Sequence, residues 1–100
     1  MTRPFPKAQS SAEGIAALHE FYGKRLQRLD RDLKQFVVAA VMVQQALDTS
    51  MAEVLEILDP DADVESNDPK LAEALLVLGD DSEYDQLKLA RDTIAQLLQE

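Results

Sequence analysis

From residue 15 to residue 47, apolar side chains recur every seven positions, and neither glycine nor proline occurs between residues 24 and 59. One series is Ile15, Tyr22, Leu29, Phe36 and Val43; a second is Leu26, Leu33, Ala40 and Leu47. Two apolar positions per heptad mark one face of an α-helix, so the agreement predicts a single long first helix over residues 11 to 47. Its seam is Tyr22, Leu26, Leu29, Leu33, Phe36, Ala40, Val43 and Leu47, with Lys24, Arg25, Arg28, Arg31, Lys34 and Gln35 off the seam on the solvent side. Gly14 and Gly23 weaken the opening turns by up to ~1 kcal/mol each relative to Ala. The valine-rich residues 36 to 43 are the one stretch with strand character. Their flanks hold no turn residues, so the helix is preferred.

Helix starts and stops punctuate the rest. Ser10 with Glu13 forms a capping box at the first helix, after a proline-containing arm over residues 1 to 10. Ser50 with Glu53 repeats the box where the seam loses register, so a short second helix runs to about Leu58, before Pro60. The alternative is one helix continuous to residue 58. Residues 59 to 68 read as an acidic loop, after which Asp68 as N-cap and Pro69 at the first helical position open a third helix that Gly79 closes. Ser82 with Asp85 caps a fourth, carrying Leu87, Ala90, Ile94, Leu97 and Leu98 at helical spacing. The fold class expected is all-α: one domain over residues 11 to 100, with three shorter helices packed as a bundle against the long first helix.

A helix over residues 11 to 47 would be ~55 Å long, whereas a compact chain of this size has a radius of gyration of ~13 Å. It would overhang its own bundle, and residues 36 to 43 are apolar around the whole circumference. The expected remedy is a homodimer through the long helix. A kink near Gly23, doubling the first helix back into a monomeric four-helix bundle, is the alternative.

Chemistry is sparse. Cysteine is absent, which removes disulfides and thiolate metal sites and leaves a reducing cytoplasm as the expected compartment. The opening residues read as neither secretory signal nor membrane anchor, and residues 36 to 43 fall far short of the ~20 a membrane span requires. The single histidine, His19, lies at a seam position and reads as a half-buried helix contact. Ser10, Ser50 and Ser82 read as caps, not nucleophiles. Asp59, Asp61 and Asp63 open like a calcium loop, but Val64 stands where that loop turns on Gly and Lys70 where it closes on Glu, so a solvated linker is expected. No catalytic, cofactor or metal residues are expected, and the chain reads as non-enzymatic.

Charge is distributed unevenly. Residues 1 to 35 hold seven Lys/Arg against four Asp/Glu, a balance of +3, and residues 36 to 100 hold three against fifteen, a balance of -12. Lys24, Arg28 and Arg31 form a basic stripe on the long helix, while Asp80, Asp81, Glu83 and Asp85 form an acidic surface at the start of the last one. The expectation is a protein-interaction module, an adaptor, assembly factor or regulator, that pairs with itself and presents acid to a basic protein partner. Two alternatives remain: an acidic nucleic-acid mimic, and a dimeric nucleic-acid binder using the basic stripe, a partner that the overall charge of -9 opposes.

Overall fold

A computed structural model describes residues 12 to 100, in which six helices and no strand are found: α1 (Glu13–Tyr22), α2 (Arg31–Leu47), α3 (Met51–Leu58), α4 (Asp63–Asn67), α5 (Pro69–Leu78) and α6 (Glu83–Gln99). The Ser10 half of the first capping box lies outside the described residues. The other three starts form as the sequence implies. The Ser50 hydroxyl accepts from the Glu53 N–H, the Asp68 carboxylate from the Leu71 N–H, and the Ser82 hydroxyl from the Asp85 N–H. Each satisfies one of the N–H groups that a helix start leaves unpaired.

The long first helix is not observed; it is two helices. α1 ends where Gly23 takes φ 95°, and Leu26 follows in the left-handed region at φ 54°. The turn between is held by bonds from the Arg28 N–H to the Tyr22 carbonyl at 3.0 Å and from the Leu29 N–H to the Leu26 carbonyl at 3.0 Å. Its effect is to bury both leucines, Leu26 at 1% and Leu29 at 4% exposure. Two short amphipathic helices joined by a turn with two buried leucines satisfy the same heptad spacing as one long helix. The radius of gyration, 13.6 Å, is that of a chain folded back on itself, so the overhang that called for a second copy is gone.

The break also rotates α2. Its buried residues are Lys34, Val37, Ala40 and Val41, one position on from the seam around most of the helix, whereas Phe36, Leu33 and Val43 are half-buried and Leu47 is 56% exposed. Tyr22, Leu26, Leu29 and Ala40 are therefore core, and Leu47 is surface.

α1 lies antiparallel along α5, Gly14 beside Leu78 and the Tyr22 hydroxyl at Asp68. α2 lies antiparallel along α6: Gln45 donates to the Glu83 carbonyl at one end, and Arg31 donates to the Leu97 carbonyl at the other. α3 bridges α2 and α5, and α4 packs on α5. The centre is aliphatic: Leu18, Val37, Val41, Val54, Leu71, Leu75 and Leu78 are each wholly buried, and each contributes ~1.5–3 kcal/mol by transfer from water. The acidic loop is not wholly irregular, since α4 forms within it. The Asp59 carboxylate accepts from the Asp63 N–H at 2.9 Å and the Val64 N–H at 3.0 Å, which caps a helix whose own N-cap residue, Ala62, offers no acceptor side chain.

At the α1–α5 contact, the Tyr22 hydroxyl donates to both carboxylate oxygens of Asp68 at 2.9 Å. Burial first, then the hydrogen bond to Asp68 and its negative charge, push the hydroxyl well above the ordinary tyrosine range. The folded chain thus keeps a proton that the unfolded chain releases near pH ~10. The contribution is whole below that value and is lost as pH rises through the higher folded-state value. Urea unfolding of the unmodified chain should therefore weaken more steeply between pH ~9 and ~11 than that of Tyr22→Phe. Equal slopes for the two proteins would remove the bond from the list of stabilising contacts.

Candidate functional site

Thirteen of the nineteen carboxylates lie between residues 48 and 85, a span with one base, Lys70. Among the described residues the ion pairs are Arg31 with Glu100, Lys34 with Glu100, and Arg91 with Asp92, so none falls in that span. Lys70 itself sits over the Phe21 ring, 5.5 Å from its centroid. This half of the molecule is a field of carboxylates without neutralising partners among the described side chains.

The four residues expected to form the acidic surface separate into two kinds. Asp80 and Glu83 are exposed. Asp81 and Asp85 are half-buried, and the Asp81 carboxylate accepts from the Gly14 and Ile15 N–H groups at 3.1 Å each. It is the cap of α1, supplied from the far end of the chain, because Ala12 at the N-cap position offers no acceptor side chain. Asp59 and Asp68 do the same for α4 and α5. What remains facing water is Asp48, Glu53, Glu56, Asp61, Asp63, Glu65, Glu73, Asp80 and Glu83. Among the described residues, no cluster of three or more acidic, histidine or cysteine side chains is placed to hold a metal ion.

The basic residues expected to share one helix face do not lie on one helix. Lys24 and Arg28 are exposed in the turn after α1, and Lys24 lines a polar cleft with Arg25, Asp92 and Gln96. Arg31 begins α2 and lies 3.5 Å from Glu100, whereas the buried Lys34 reaches the same carboxylate at 2.7 Å. The hydrogen bond from Lys34, joined by its charge and that of Arg31, holds the Glu100 carboxyl below its usual range. His19 is half-buried on α1, and its carbonyl takes the Gly23 N–H.

Sequence reasoning missed a groove. A concavity of about 480 Å³ opens between α3, α4 and α5, lined by Ala52, Leu55, Glu56, Asp59, Pro60, Ala62, Val64, Glu65, Ala72 and Leu76. Its signal in the sequence is faint: small alanines at positions where a packed helix pair would carry larger side chains. Apolar groups also stand in water nearby and on α6, where Tyr84, Leu87, Ile94 and Leu98 fall at helical spacing on one exposed stripe around Arg91. No helix among the described residues is long and apolar enough to cross a membrane.

No protein-family model matches the chain, and no curated protein or solved structure matches it either.

Proposed function

We propose that the chain is a non-enzymatic protein-interaction module, an adaptor or regulator, whose acidic half receives a basic protein. The observation that supports this reading is the span between residues 48 and 85: thirteen carboxylates against one base, interspersed with the exposed apolar side chains Ile57, Leu76 and Tyr84. Unpaired like charges repel one another and oppose compactness, and exposed aliphatic groups stay hydrated at a cost; a cationic, partly apolar partner relieves both.

Affinity capture from the source cell with mass spectrometry identifies the partner, and salt titration then tests the surface. Association should slow and weaken as ionic strength rises, because exposed charges are screened over ~10 Å at 0.1 M. Asp80→Lys with Glu83→Lys should lower the association rate while leaving helicity intact. Asp81 is unsuitable for this test, since its carboxylate holds α1. An affinity indifferent to salt and to both reversals would reduce the acidic surface to a solubility feature. The same carboxylates favour a second reading, an acidic mimic of nucleic acid, for which DNA or RNA would compete with the chain for the captured partner.

A further inference from the structure

The groove between α3, α4 and α5 is lined by side chains of two kinds. Ala52, Leu55, Ala62, Val64, Ala72 and Leu76 are its aliphatic part, and three of the six are alanines, which let another backbone approach closely. Glu56, Asp59 and Glu65 supply the charge of the lining, and no base is among it. At about 480 Å³ it falls within the ~300–1,000 Å³ of ordinary ligand sites. It lacks the several convergent donors and acceptors of different kinds that orient a small molecule, because its charged groups are carboxylates alone.

We propose that this groove seats a short amphipathic helix of a partner protein, aliphatic side chains against its alanines and leucines and Lys or Arg opposite Glu56 and Glu65. Helix-in-groove binding needs an apolar trough to take side chains at i, i+3, i+4 and i+7, and flanking charge of the opposite sign to fix its register. A second copy of this chain fits the trough poorly. Its own exposed apolar stripe, on α6, holds Arg91 at its centre and has only Lys88 as a further base, while the rest of the copy, at a net charge of -9, would bring acid to acid. The proposal rests on the interaction-module reading and names the part of the acidic half that does the binding.

The test is to pan a displayed library of random peptides of ~15 residues, about four helical turns, on the full chain. Enriched peptides should carry aliphatic residues three or four apart with Lys or Arg beside them. A synthetic copy should shift the backbone amides of α3, α4 and α5 in the isotope-labelled chain. Glu56→Lys with Glu65→Lys should weaken that peptide at least tenfold, as should Ala52→Trp, which fills the trough from an exposed position. Circular dichroism of both variants should match that of the unmodified chain. Asp59 is left intact because it caps α4. A basic peptide that binds these variants undiminished, yet is lost on reversal of Asp80 and Glu83, overturns the groove and leaves the acidic-surface reading standing. A library that enriches no basic peptide overturns both.

Discussion

Gly14→Ala should destabilise the chain by about 3 kcal/mol or more, although helix propensity alone favours alanine over glycine inside a helix by ~1 kcal/mol. The reversal of sign comes from the α1–α5 contact. A Cβ built on Gly14 overlaps the Leu78 backbone at Cα and N, and lies 2.8 Å from the Leu78 Cβ. Backbone cannot rotate aside as a side chain does, so the two helices must separate. The cost then spreads to Leu18, Leu75 and Leu78, all wholly buried. The same movement withdraws the Gly14 and Ile15 N–H groups from Asp81. Urea unfolding followed by far-UV circular dichroism measures it. A Gly14→Ala chain as stable as the original, or more so, would show that α1 and α5 do not touch there.

Gly14 illustrates why part of this fold was legible in the sequence and part was not. Helix starts at Ser50, Asp68 and Ser82 were readable because a cap and its N–H lie within three residues of each other. The closing of α5 at Gly79 and the extent of α3 are local in the same sense. Periodicity alone does not choose between the long helix and the alternative kink near Gly23, and the break falls at that glycine. The turn buries Leu26 and Leu29 at positions where a continuous helix would also bury them. Within the turn, the positive φ of Gly23 and Leu26 distinguishes the two arrangements, and a leucine in that region is decided by its burial rather than by its own preference. Once the break exists, α2 is free to rotate, and Val37, Val41 and the buried Lys34 replace Leu33, Phe36 and Val43 at the centre of its inner face.

Charge counting met a similar limit. It places the acidic half of the molecule by residue number, but does not separate carboxylates on the surface from those that cap a distant helix start. Asp59, Asp68 and Asp81 are instead committed to backbone N–H groups. Asp68 was recognised because its helix follows it directly. Asp59 sits four residues before the N–H it serves, and Asp81 sixty-seven after. The groove escaped for the complementary reason: its walls come from three separate helices, and no one of them shows a motif.

The position of Asp81 leads to a sharp contrast between neighbours. Replacing Asp81 with Ala leaves the first N–H groups of α1 without an acceptor in a partly buried place, which costs ~1–2 kcal/mol for the cap. A further ~0.3–1 kcal/mol goes with the carboxylate charge at the positive end of the helix dipole. Asp81→Lys should cost more than Asp81→Ala, since it sets a cation at that same end. Asp81→Asn keeps one acceptor oxygen without the charge and should recover part of the loss. The turn that aims this side chain is itself held: the Gln86 amide donates to the Asp81 carbonyl at 2.9 Å and to the Gly79 carbonyl at 3.4 Å. Asp80, one residue earlier and exposed, has no side-chain bond to α1, so Asp80→Ala should stay within ~0.5 kcal/mol of the original. Urea midpoints for the four variants give the order Asp80→Ala, Asp81→Asn, Asp81→Ala, Asp81→Lys from most to least stable. If Asp80→Ala and Asp81→Ala unfold at the same midpoint, Asp81 is surface charge like its neighbour, and the start of α1 must be held by something else.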